Sequence, residues 1–226
     1  MNNEYMFPII LSLKCGFLSA LLNLPWGIFW GWLLGRKEFP GKIFLQTLLY
    51  IPLVLPPVLT GYFLLVVLSP RSGLGKFLLD VFAVRFVLDW KGAVAAAAIV
   101  SGPFMILMVK QAIEQSDNRL EFVARNLGAG RWRTFWTVTL PLAWPGIVAG
   151  FFLAFARSIG EFGATIMLAG NIPEKTQTIP LAIYSHVYLG HEAAILPLIA
   201  AAVFLSYLGL GFSNMFMRTK KNGNHR

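Results

Sequence analysis

Charge is scarce in this chain: only 13% of its 226 residues are Asp, Glu, Lys or Arg, and just ten of them are acidic against nineteen basic. Cysteine is scarcer still. The single cysteine, Cys15, lies in an apolar run, so no intrachain disulfide can form and a small packing residue is expected there. No G-x-x-x-x-G-K-[ST] stretch occurs, since Gly75-Lys76 is followed by Phe77, which excludes that phosphate-cradling loop. Any energy from ATP must therefore enter through another chain. A Ser-His-Asp set, a nucleophile elbow and paired carboxylates at a membrane surface are also missing, so no catalytic residue is expected. His186 and His191 have no Cys or carboxylate at ligand spacing apart from Glu192, and a solvated or interface role is expected for them instead of a metal site.

What the chain does contain is apolar surface, with 57% hydrophobic residues and a mean hydropathy of +0.66. That composition points to lipid as the solvent. Five runs, 9–34, 43–68, 92–109, 147–169 and 193–217, are long enough at about 1.5 Å per residue to cross a hydrocarbon core about 30 Å thick. They are too long, and alternate too little, for barrel strands. The fold class expected is an all-α membrane protein of about five transmembrane helices in one domain, 1–226. The head MNNEYMFP carries no positive charge and the first run has no small-x-small cleavage site, so that span is expected to stay in the mature chain. Lys14 and Asn23 interrupt it and are expected to face other helices or, for Lys14, the surface.

Lys and Arg set the orientation. With the C-terminus inside, twelve of them (Arg36, Lys37, Lys42, the 110–133 group, and Arg218 to Arg226) fall on the inner side and five on the outer. The positive-inside bias then predicts an outside N-terminus and a cytoplasmic C-terminus. It also accounts for the +9 net charge without a nucleic-acid partner. The polar tail from Met217 is too short to hold a regulatory domain, so regulation is expected elsewhere.

The inner loop 117–141 contains LEFVARNLGAGRWRTFWTVTLP. Asn118 with Glu121 three residues on suggests a capped helix start, and Leu120, Val123, Ala124 and Leu127 make one apolar stripe at helical spacing. Gly128 and Gly130 end it after two to three turns, too short to stand alone. Small residues at Ala124, Gly128 and Ala129 permit close backbone approach, and Arg125, Arg131 and Arg133 offer charge to an acidic rim. Periodicity leaves two readings open: a helix docked on a partner, or one lying on its own bundle or on anionic headgroups.

Two further clusters draw notice. Pro52, Pro56 and Pro57 interrupt the second span, followed by Thr60 and Gly61, which suggests either a wall or gate of a pathway or a static packing kink. Arg157, next to Ser158, and Glu161 are opposite charges at i, i+4 within the fourth span, roughly 18 Å past Pro145. Such a pair either eases a passing dianion or fixes helix packing.

The inner loop resembles the signature of ABC importer permeases, E-A-A-x-x-x-G and, after nine residues, I-x-L-P. Gly128 and Ala124 match, as do Val138, Leu140 and Pro141; Phe122 stands in place of the glutamate and Val123 in place of the first alanine, with Glu121 one residue upstream. The stretches FPGK (39–42), YIPLVLPPVLTGY (50–62), LPLAWPGIVAG (140–150) and ARSIGEFGATIMLAGNIP (156–173) are similar to those of molybdate transporter permeases, within the binding-protein-dependent type I (MetI-like) importers. The resemblance implies a permease subunit for an oxyanion, molybdate or tungstate, with a sulfate-type or other anion permease as the alternative. It implies a bacterial inner membrane location, a second copy of the chain, separate ABC ATPase subunits that hold ATP and magnesium, and a periplasmic oxyanion-binding protein. It also implies that Leu120, Glu121, Ala124, Leu127, Gly128, Ala129 and Arg131 couple to the ATPase. An ion-driven secondary transporter would show paired intramembrane carboxylates or an inverted repeat, and neither is seen. A membrane-anchored assembly subunit would tolerate a scrambled 120–141 segment.

Overall fold

The computed structural model describes residues 3–223, and the regular elements among them are all helices. Arg226, counted above on the inner side, lies outside the described residues. Helix α1 (Asn3–Arg36), α5 (Trp90–Glu114) and α8 (Leu140–Ile159) pack together as the centre. The outermost long helix, α11 (Glu192–Gly223), rests on α8. Between them run α2 (Lys42–Val54), α3 (Pro57–Leu68), α4 (Gly73–Phe82), α6 (Asn118–Asn126), α7 (Arg131–Thr134), α9 (Gly163–Ala169) and α10 (Ile179–Leu189). Helix α5 is the most enclosed span, with 67% of its apolar window buried against 11% for α11.

Small residues explain the close centre. Gly27, Gly31 and Gly35 repeat every fourth residue along α1 and face Met105, Val109 and Ile113 of α5; a Cβ at Gly31 would lie 2.6 Å from Val109 Cβ. Gly146 and Gly150 do the same for α8, against Ala112 and Met105. In lipid, where apolar burial gives helices little reason to associate, such small-residue seams let backbones approach and gain dispersion contact. Asn23, Ser19, Ser101 and Ser158 add a buried polar seam among α1, α5 and α8: Asn23 Nδ2 donates to Ser101 Oγ at 3.0 Å and to Ala98 O at 3.1 Å. Asn23 therefore turns inward. Lys14 lies over the Trp90 ring, its Nζ 3.5 Å from the centroid.

Three spans differ from their expected bounds. The second is not one kinked helix: α2 and α3 meet at 109°, because Pro56 and Pro57 supply no backbone donors and fix an extended corner from which α3 restarts. The third runs to Glu114, with Asp89 capping its start by accepting from Lys91 N–H, so polar Lys110 and Gln111 remain helical. The fourth is displaced toward the N-terminus. A helix continuous through Arg131–Ile159, with a π turn at Phe135–Thr139, takes its place, and Gly160 ends it. Glu161 then starts α9 by accepting from Ala164 N–H at 2.9 Å. Arg157 consequently sits in the last turn of α8, where its charge suits the helix C-terminus, and not part-way along a longer rod.

Candidate functional site

The 117–141 loop opens with a short helix whose apolar residues point away from the bundle. Asp117 caps α6 by accepting from Arg119 N–H at 2.8 Å, which corrects the expected Asn118 cap. Glu121 does not close a capping box either. Its Oε1 takes hydrogen bonds from Arg36 Nε at 2.9 Å and from Thr139 Oγ1 at 2.8 Å. Asn118 Oδ1 also accepts from Arg36, and the guanidinium reaches Ser116. Glu121 therefore turns toward the bundle, and Asn118, one turn before it, joins it on Arg36.

Leu120, Val123 and Leu127 point the other way, and Leu127 is 83% exposed. No residue of α6 is fully buried. The helix is held mainly by the clip from Arg36 at the end of α1, through Glu121, to Thr139 at the start of α8. Gly128 follows in the left-handed region at φ 89°, where its N–H donates to Arg125 O and Ala129 N–H donates to Ala124 O, closing the helix end. A Cβ at Gly128 would meet nothing within 4 Å. Ala129 and Arg131 lie just beyond that turn, Arg131 being the first residue of α7.

The second set of candidates lies where two interrupted helices meet. Helix α3 starts at the Pro56-Pro57 corner and α9 starts after Gly160, and the two pack side by side. Gly61 makes this possible: a Cβ there would be 2.6 Å from Ala164 Cα. Thr60 and Gly61 thus form no open face. Both are buried, Gly61 because α9 leaves no room for a side chain, and Thr60 Oγ1 has no hydrogen-bond partner among the described residues. Arg157 Nη1 and Glu161 Oε2 are 3.0 Å apart, with the Glu161 side chain 2% exposed and that of Arg157 29%. Glu161 thereby serves the ion pair with one oxygen and the start of α9 with the other. Ser158 is not part of an open surface. Its hydroxyl lies 2.8 Å from that of Ser19 and 3.1 Å from that of Ser101, within the buried polar seam. Sequence reasoning missed Arg36 and Thr139, the partners of Glu121, because they stand 85 and 18 residues away from it. No local pattern marks such distant partners.

The model of the binding-protein-dependent transport system inner membrane component family matches residues 27–221. This chain belongs to that family. Among curated relatives, the Molybdenum transport system permease protein ModB of Escherichia coli strain K12 is 48% identical over 214 residues, covering 94% of this chain and 93% of the relative. The Sulfate transport system permease protein CysT of the same strain is 35% identical over 183 residues, covering 81% and 66%. A solved structure of the MetNI methionine ABC transporter in inward-facing conformations superposes with a TM-score of 0.72 at 18% identity, covering 97% of this chain and 99% of that one. That likeness establishes the fold of a MetI-like importer permease. The chain is an inner-membrane transport component, as its family and its spanning helices state together.

Proposed function

We propose that two copies of this chain form the membrane pathway of an ATP-driven importer for molybdate and tungstate. A periplasmic binding protein delivers the anion, and separate ATPase subunits drive the cycle from the cytoplasmic side, where α6 and the C-terminus lie. The substrate class rests on the full-length similarity to a molybdenum permease, which exceeds that to the sulfate relative in both identity and coverage.

The observation that carries the coupling role is the direction of α6. A short amphipathic helix that lay on its own bundle would bury Leu120, Val123 and Leu127; this one leaves all three exposed and turns Glu121 inward instead. An apolar ridge kept in water, with close-approach residues at Ala124, Gly128 and Ala129, fits a groove on another protein. ATP-driven closure of paired ATPases would then move two such helices together. The Arg36–Glu121–Thr139 clip passes that displacement to α1 and α8.

The deciding experiment is cellular molybdenum, measured by mass spectrometry in cells with and without this chain at trace external molybdate. Loss of uptake that tungstate competition mimics and excess sulfate barely alters supports the proposal. Unchanged molybdenum, once other uptake routes are removed, transfers the chain to sulfate or another anion.

A further inference from the structure

A cleft of about 700 Å³ opens beside the coupling loop, on the side of α6 opposite its apolar ridge. One wall is the end of α1: Pro25, Ile28, Phe29 and Trp32 lie on one helical face and extend roughly 10 Å along it. The facing wall is the π turn that leads into α8, where Phe135 stands edge-on to Trp32 with ring centroids 5.5 Å apart and to Trp136 at the same separation. Trp132 and Trp136 are 78% and 60% exposed. Exposed indoles beside the end of a spanning helix are what a membrane interface selects.

The mouth of the cleft carries Lys37, Arg125 and Arg131. None of the three forms an ion pair among the described residues. The only acid at the cleft, Glu121, is already matched by Arg36 at 2.9 Å. An aromatic and aliphatic trough ending in three unmatched cations complements an amphiphile with an anionic head. A free anion would use the cations and leave the trough wet, and a neutral lipid would leave the cations unmatched.

We propose that this cleft holds one anionic phospholipid of the adjoining leaflet, its phosphate at Lys37, Arg125 and Arg131 and an acyl chain along α1 between Phe29 and Phe135. The lipid braces the polar back of α6 while the opposite ridge remains free. This inference does not depend on which anion the importer carries. Basic pockets between spanning helices hold acidic headgroups, with each Lys or Arg near the surface contributing about fivefold in affinity.

The test uses the full-length protein in nanodiscs of phosphatidylcholine and phosphatidylglycerol, released into native mass spectrometry, with its ATPase subunits absent and then added. The expected result is selective retention of phosphatidylglycerol by the wild type. K37Q should weaken retention about fivefold and K37Q/R125Q about 25-fold, with melting temperature in phosphatidylcholine serving as the folding control. W132F should reduce quenching of tryptophan fluorescence by brominated phosphatidylglycerol. Equal retention of the two lipids overturns the proposal, as does retention that ignores both substitutions. Displacement of the lipid when the ATPase is added also overturns it, by giving the face to protein. So does displacement by inorganic phosphate alone, which would make the site one for a small anion.

Discussion

Replacing Glu121 with alanine tests how the coupling helix is held. Its carboxylate and the Arg36 guanidinium are 2.9 Å apart, with side chains only 13% and 8% exposed. Removing one member of a buried pair strands the other and costs about 3–5 kcal/mol when nothing else compensates. Arg36 retains Ser116 and Asn118 as oxygen partners, so the cost falls below that range, to about 2–3 kcal/mol. Because α6 has no fully buried residue, the loss falls on its attachment and not on the bundle. The detached state of 118–126 should rise in population roughly 30- to 150-fold.

Hydrogen exchange read by mass spectrometry measures this directly. In Glu121→Ala the amides of 119–127 should lose protection by about two decades, while those of α5 stay as in the wild type. Glu121→Gln keeps an acceptor for both Arg36 and Thr139 and should lose only about one decade. On the proposed coupling role, Glu121→Ala should also continue to hydrolyse ATP in the assembled importer while its uptake falls. Unchanged exchange over 119–127 in the alanine variant, or equal effects of the two substitutions, would refute the idea that this carboxylate holds the helix.

Other positions give independent checks. Gly128→Val forces a β-branched residue to φ near 89° and should cost about 1–3 kcal/mol locally, whereas Gly128→Asn, which tolerates that conformation, should be mild; uptake against ATP hydrolysis separates them. Gly61→Val pushes a side chain into the Ala164 backbone and should lower the melting temperature, while Gly211→Val, with open space around it, should not. Gly31→Leu should separate α1 from α5 and prevent folding in the membrane, as read by protease resistance, since its Cβ would already press on Val109. Arg157→Gln leaves Glu161 charged at 2% exposure and should destabilise by about 3 kcal/mol, and adding Glu161→Gln should recover most of that; if the double variant is as unstable as the single, the ion pair does not organise this corner. Anion uptake by the stable double variant then tests whether Arg157 also serves the passing ion.

Helix content and the short helix 118–126 were legible because long apolar runs, helical spacing and glycine stops are local signals, although its cap is Asp117 and not Asn118. The breaks were less so. Pro56 and Pro57 announced a disturbance, but a 109° turn depends on α9 being present to receive α3 at Gly61. The apolar text from Ile147 to Ala169 reads as one span, yet Gly160 and the Glu161 carboxylate restart the helix, and hydropathy is blind to a carboxylate that caps a backbone. The inward direction of Glu121 was also hidden. A stripe pattern identifies two faces of a helix but says nothing about which one meets the protein; that is decided by Arg36, 85 residues away.

Helix α8 joins the two candidate regions into a single mechanical path. From Arg131 to Ile159 the chain is helical without interruption, roughly 43 Å at about 1.5 Å per residue. Near its N-terminal end it is tied to α6 through Thr139 and Glu121, and its C-terminal end carries Arg157, whose partner Glu161 starts α9. Helix α9 in turn meets α3 at Gly61, directly after the proline corner. The π turn and Pro145 are the places where the 131–159 helix could bend, and α1 and α5 flank it there along the buried seam and restrain it. On the proposed reading, motion imposed on α6 therefore need not pass through a chain of small side-chain adjustments. It tilts α8 as a rod and displaces both interrupted helices together. A disulfide that joins α8 to α5 at the level of Gly150 and Met108 should then stop uptake while leaving α6 docked and hydrolysis intact. Uptake that survives this lock would show that the corner between α8 and α9 moves independently of α8.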